Sequence, residues 1–104
     1  MGSPNGGSFR VDCPSKVIQA LKQFVHRSLQ LGLQSEMLAA IKTIYRRLQN
    51  DPVGFGDPLY TLPSLRLQVR TAIVGPLIVD FAVHEQKPIV FIKGIRPMSG
   101  SGLE

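Results

Sequence analysis

An α+β domain, with a helical hairpin laid on one face of an antiparallel sheet, is what this sequence predicts from three observations. Apolar residues recur at helical spacing between positions 15 and 50, then switch to period two from Leu65 onward. Turn-forming residues fall where the pattern changes, at Gly32, across 50–64 and at Gly75-Pro76. The third observation is size: 104 residues, 43% hydrophobic and 18% charged, suit one core and leave no room for a second.

The elements follow in order. Phe9-Arg10-Val11-Asp12-Cys13 alternates apolar and polar, which predicts a short half-buried strand ended by Pro14. Ser15 is placed to cap a helix whose stripe is Val17, Ile18, Leu21, Phe24, Val25 and Leu29. Gly32 closes it, and Ser35 opens a second helix with Met37, Ile41, Ile44, Tyr45 and Leu48 on one side, stopped by Asn50-Asp51-Pro52. So short a link predicts antiparallel packing. Residues 51–64 hold three prolines and two glycines with Asp51 and Asp57, which predicts a structured loop. Leu65, Leu67, Val69, Thr71 and Ile73 then form an apolar strand face that alternates with Arg66, Gln68, Arg70, Ala72 and Val74. After the Gly75-Pro76 turn, 77–83 and 89–95 are Val, Ile and Phe rich and predict a hairpin joined by His84 to Pro88. The expected order is β-α-α-β-β-β. Val17, Leu21, Val25, Ile41, Ile44, Leu48, Leu67, Val69, Val79 and Phe81 are expected to be buried. Residues 1–8 read as a flexible leader, 9–98 as the domain and 99–104 as a polar, frayed tail.

Twelve Lys and Arg against seven Asp and Glu leave a net charge of +5, which directs attention to nucleic acid or an acidic protein as partner. A single cysteine, Cys13, allows neither an internal disulfide nor a cysteine-based zinc cage. With no signal peptide and no apolar run near the length of a bilayer span, a cytoplasmic location without membrane contact is expected. His26 has no partner ligand three or four positions away and His84 sits beside Glu85 in a turn, so no metal site and no cofactor are expected. Gly54-Phe55-Gly56 lacks the ending of a phosphate-binding loop.

The basic residues are the chemical signal. Arg66 and Arg70, four apart on one strand, would share a face about 13 Å apart, a spacing that suits two phosphates, with an ordinary solvated face as the alternative. Lys93 and Arg96 lie near the end of the last strand, on opposite faces if it is regular. Lys42, Arg46 and Arg47 on the second helix extend the expected nucleic-acid-binding set of Arg66, Arg70 and Lys93.

The element order, the Asp51-Pro52 stop, the run Leu65-Arg66-Leu67-Gln68-Val69-Arg70 and the terminal Ile95-Arg96 together resemble the RelE/ParE family of toxins from type II toxin-antitoxin systems, over residues 9 to 98. The resemblance implies a basic sheet face that acts on RNA at the ribosome, and an acidic antitoxin as partner. If the chain is an enzyme, it implies a ribosome-dependent mRNA endonuclease. The ParE branch instead implies a non-enzymatic inhibitor of gyrase, and a relative without toxicity would be a protein-interaction module. By position, the resemblance makes Arg70 and Arg96 catalytic candidates; the groups near enough in sequence to exchange a proton are His84, Glu85 and Asp80, of which His84 is the candidate taken. Two departures bear on cleavage: Gly75-Pro76-Leu77 replaces an aromatic-arginine pair, and Arg96 is followed by Pro97-Met98-Ser99 where cleaving members commonly carry tyrosine or histidine. Loss of a general acid or base costs about 100 to 10,000-fold in rate, so weak or absent cleavage is expected.

Overall fold

The computed structural model describes residues 8–104, so the expected leader lies outside the described residues except for Ser8. Strand β1 (Arg10–Asp12) leads into α1 (Ser15–Gln30) and α2 (Gln34–Asn50). Then come β2 (Asp57–Leu62), a short 3-10 turn (Pro63–Leu65), β3 (Leu67–Val74), β4 (Leu77–His84) and β5 (Ile89–Pro97). The five strands form one sheet in the order β1-β5-β4-β3-β2. β2 through β5 are antiparallel neighbours, whereas β1 runs parallel to β5, with Val11 opposite Val90. The sheet is therefore mixed: after the helical hairpin β2 runs opposite to β1, and the three reversals from β2 to β5 bring β5 back to the direction of β1, beside which it lies.

α2 buries its stripe, whereas α1 buries only part of the one expected, Ile18 and Leu29 being exposed. Val17 on α1 and Met37, Ala40, Ile44 and Leu48 on α2 pack with Leu77, Val79, Phe81, Val90 and Ile92 of the central strands. Leu21, Val25 and Ile41 are partly buried at its margin. Neither predicted serine cap forms: α1 starts at Ser15 with Pro14 before it, α2 starts at Gln34 after Leu33, and no side-chain hydrogen bond caps either. Gly32 does close α1, at φ +72°, where a residue with a Cβ would be strained, and the Leu33 N–H reaches back to the Ser28 carbonyl at 2.8 Å.

Three expectations are corrected. Residues 57–62, expected as loop, form the edge strand β2, because Leu59, Tyr60, Thr61 and Leu62 keep extended backbone while Pro58 tolerates the outer position. The first basic strand starts at Leu67, since Arg66 adopts φ +56°, and its faces are reversed: Ala72 and Val74 meet the helices, while Thr71 and Ile73 turn away. The tail is not frayed. Leu103 is 3% exposed within the core, and the Glu104 carboxylate accepts hydrogen bonds from the Gly100 N–H (2.8 Å) and the Gly102 N–H (3.0 Å).

Candidate nucleic-acid interface

Among the described residues, one face of the sheet is covered by the two helices and the other has none over it, so a side chain's strand parity decides what it can meet. Position 70 falls on the covered side, opposite Phe81 of β4. The Arg70 side chain is 7% exposed and donates from Nε to the Phe55 carbonyl (3.1 Å), from Nη2 to the Gly56 carbonyl (3.0 Å) and from Nη1 to Gln68 Oε1 (3.0 Å). Its physical role is to supply donors to a loop, residues 51–56, that folds back against β3. Gly56, at φ +71°, passes so near Thr71 that a Cβ would fall 2.1 Å from that carbonyl oxygen. Phe55 stacks on Phe81 with centroids 5.5 Å apart. Arg70 is thus turned away from any ligand on the open face, and Arg66 does not share its face, being exposed at the turn before β3.

Lys93 and Arg96, in contrast, reach the open face together. β5 carries a bulge: Asp80 of β4 pairs with Gly94 and Phe81 pairs with Ile92, so Lys93 is the extra residue. One added residue converts odd spacing into a shared side. Lys93 Nζ donates to the Tyr60 hydroxyl at 2.8 Å. β5 and β2 are three strand spacings apart, about 14 Å on flat geometry, so this contact bridges the face above Val69 and Ala82, both buried although no helix covers them. The ammonium lies 5.3 Å from the ring centroid and 2.8 Å from the oxygen, which places it off the hydroxyl end of the ring and leaves the ring face free. Beside this bridge, Arg96 donates to Asp80 Oδ2 at 2.8 Å, and the Thr71 hydroxyl donates to Asp80 Oδ1 at 2.7 Å.

His84 occupies the far end of β4. It pairs with Leu67, whereas Arg96 pairs with Ile78, six residues or about 20 Å away along the strand. Its Nδ1 accepts the backbone N–H groups of Gln86 and Lys87, both at 3.0 Å, which leaves Nε2 to carry the proton of the neutral ring. The expected catalytic trio of Arg70, Arg96 and His84 is consequently not assembled. Lys42 and Arg46 lie exposed on α2, in the layer behind the sheet, while Arg47 donates to the Gly54 carbonyl at 3.2 Å and lies over the Phe55 ring. Two open-face residues were missing from the expectation: Tyr60, masked by the prolines around it, and Thr71, assigned to the apolar face. The signal that could have found Tyr60 is the β-forming run Leu59-Tyr60-Thr61-Leu62.

Elsewhere, burial raises the Cys13 thiol pKa above its ordinary value, a hydrogen bond with Tyr45 partly offsetting this, and burial likewise raises the Tyr45 hydroxyl. No helix of the described residues is long and apolar enough to cross a membrane.

The element order and the sheet define a RelE-like fold. The chain is similar to a chain of the crystal structure of the archaeal RelE-RelB complex from Pyrococcus horikoshii, with a TM-score of 0.64 and 20% identity over 90% of this chain and 99% of that one. No protein-family profile and no curated protein matches the chain.

Proposed function

We propose that the chain is the toxin component of a toxin-antitoxin pair and that it binds single-stranded RNA on the open face of its sheet. The observation that carries this reading is the Lys93 to Tyr60 bridge with Arg96 beside it, on the side without helices. Two cations suit phosphates, and a half-exposed tyrosine ring suits an unpaired base, which stacks on aromatic faces without need of sequence. The toxin reading rests on the RelE-like fold, and the net charge of +5 favours an acidic antitoxin. Cleavage is expected to be weak, because Arg96 has no proton-transfer histidine near it and arginine itself stays charged. Toxicity then comes from occupancy of RNA.

The test is binding of a fluorescein-labelled oligoribonucleotide at 50 mM and 200 mM salt. Native protein should bind and weaken steeply with salt, while a Lys93→Gln, Arg96→Gln double variant should bind less and with a flatter slope. Native protein that fails to bind at low salt, or a double variant that binds as well as the native chain, would overturn the reading.

A further inference from the structure

The side of the helices away from the sheet carries a pattern of its own. Three buried positions are each followed by an aliphatic residue that stays at the surface: Val17 by Ile18 (42% exposed), Ser28 by Leu29 (52%) and Met37 by Leu38 (42%). One residue further on is a step of about 100° round the helix in a fixed sense. Antiparallel helices on one sheet meet through flanks related to their core stripes in that same sense, so these three line the outer seam between α1 and α2. Tyr45, two turns beyond Leu38 on α2, is hydrogen-bonded to Cys13 just before α1, which fixes this flank as the one facing α1. Cations border the seam on both sides. Lys22 on α1 and Lys42 and Arg46 on α2 are exposed beside it, with Lys16 and Arg27 exposed on the far side of α1. Among the described residues none of the five is in an ion pair. The only carboxylate of the two helices, Glu36, lies on the other flank of α2, near Gly75. Lys22 and Arg27 also flank a shallow hollow of about 370 Å³ to which Gln23 and Gln30 add amide donors.

We propose that the outer face of the helical hairpin docks on an anionic lipid surface. Ile18, Leu29 and Leu38 enter the boundary between headgroups and acyl chains, and the cations on both sides of the seam meet lipid phosphates, one of them in the hollow between Lys22 and Arg27. Neither contribution suffices alone: three half-exposed aliphatic side chains bury little area, and cations without an apolar anchor are released by salt. Other occupants fit less well. Aliphatic tips give the bases of RNA no flat surface to stack on, and a second copy would bring its own cations against these. A single acidic helix, about 10 to 12 Å across, would fill the seam and leave Lys16 and Arg27 beyond its reach, whereas a broad anionic surface engages all five cations. Sequence analysis gave no expectation of membrane contact because no apolar run is long enough to span a bilayer, and docking on a surface requires no span. The open face of the sheet then points to water, so the inference is independent of RNA binding at Lys93.

Flotation of the full chain with lipid vesicles tests it. The chain should float with phosphatidylcholine vesicles containing about one third phosphatidylglycerol and stay behind with phosphatidylcholine alone. Lys42→Gln together with Arg46→Gln should lower the partition coefficient about thirtyfold, the weight of two basic residues near an anionic surface. Leu38→Asp should lower it by at least about tenfold, with a native urea midpoint to verify its fold. The sequence contains no tryptophan, so a Leu29→Trp variant reports insertion: its emission should shift to the blue on the anionic vesicles and be quenched by lipids brominated in their acyl chains. Chain loaded beforehand with the oligoribonucleotide should float as well as free chain. Failure of the native chain to float at low salt, unchanged flotation of either variant, a Leu29→Trp emission that vesicles leave unmoved, or release by the oligoribonucleotide would each overturn the proposal. Displacement by polyglutamate at an equal concentration of negative charge would overturn it in favour of an acidic protein on this face. Failure of RNA to bind anywhere would count against the RNA-binding reading alone.

Discussion

Arg70 has the residue type of a phosphate ligand and the position of a structural one. Its guanidinium satisfies the Phe55 and Gly56 carbonyls, so Arg70→Met should leave both without a donor and destabilise the fold by about 2 to 5 kcal/mol in urea denaturation. Lys93→Gln, at an exposed site, should change stability by under about 0.5 kcal/mol and yet weaken RNA binding more than any loss of Arg46. Equal stabilities for the two variants would show that the Arg70 bonds contribute little. A second residue-scale consequence concerns Cys13 and Tyr45, whose folded pKa values are both raised, by burial first. Raised acids are less ionised in the folded chain than in the unfolded one. Their contribution is therefore intact below the ordinary thiol pKa of about 8.5 and is lost as pH rises from there toward the folded value. Midpoints of denaturation should fall across that alkaline range, and a Cys13→Ala, Tyr45→Phe double variant should fall less.

At the scale of elements, the helices obey their sequence pattern and the strands only partly do. Ile44 is almost wholly buried between α2 and the sheet, and Ile44→Ala should cost about 2 to 5 kcal/mol, measured by chemical denaturation; a loss under about 0.5 kcal/mol would mean that α2 presents another face. Helical periodicity is legible because the 3.6-residue repeat is set by local backbone geometry and runs for several turns. Strand parity is not local in that sense. Alternation in 65–74 is ambiguous, since both sets of alternate positions contain apolar residues, and tertiary contacts, the loop 51–56 on Arg70 together with Ala72 and Val74 against the core, decide which set faces the helices. A bulge at Lys93 is less legible still, because it depends on the register of a partner strand.

Across the whole molecule, the chain end closes against the helices. Leu103 lies in the core, and a Cβ on Gly102 would come within 3.3 Å of Leu31, so the last residues pack where α1 ends. Hydrogen bonds from the Gly100 and Gly102 N–H groups lower the Glu104 pKa below its ordinary value. The sign follows from preferential binding of the ionised form: the cap is complete above the ordinary glutamate pKa and is lost as pH falls through the lower folded value. Acid titration followed by amide exchange at Gly100 and Gly102 should show protection factors, taken relative to the intrinsic rate at each pH, that fall in that acidic window while the β4 amides remain protected. Glu104→Gln should exchange fast at neutral pH too, and unchanged protection in that variant would assign the tail's order to Leu103 alone.

The sequence by itself determined the two helices, their turn at Gly32, the hairpin of β4 and β5, and a basic protein whose element order resembles a toxin family. These depend on local periodicity, turn chemistry and composition, which a single chain displays openly. Tertiary structure alone decided that β1 joins the sheet parallel to β5, that 57–62 is a strand, and that Arg70 is internal while Lys93 and Arg96 share the open face. Each of these depends on contacts between residues distant in sequence, where burial of one side chain is set by what the rest of the chain places over it.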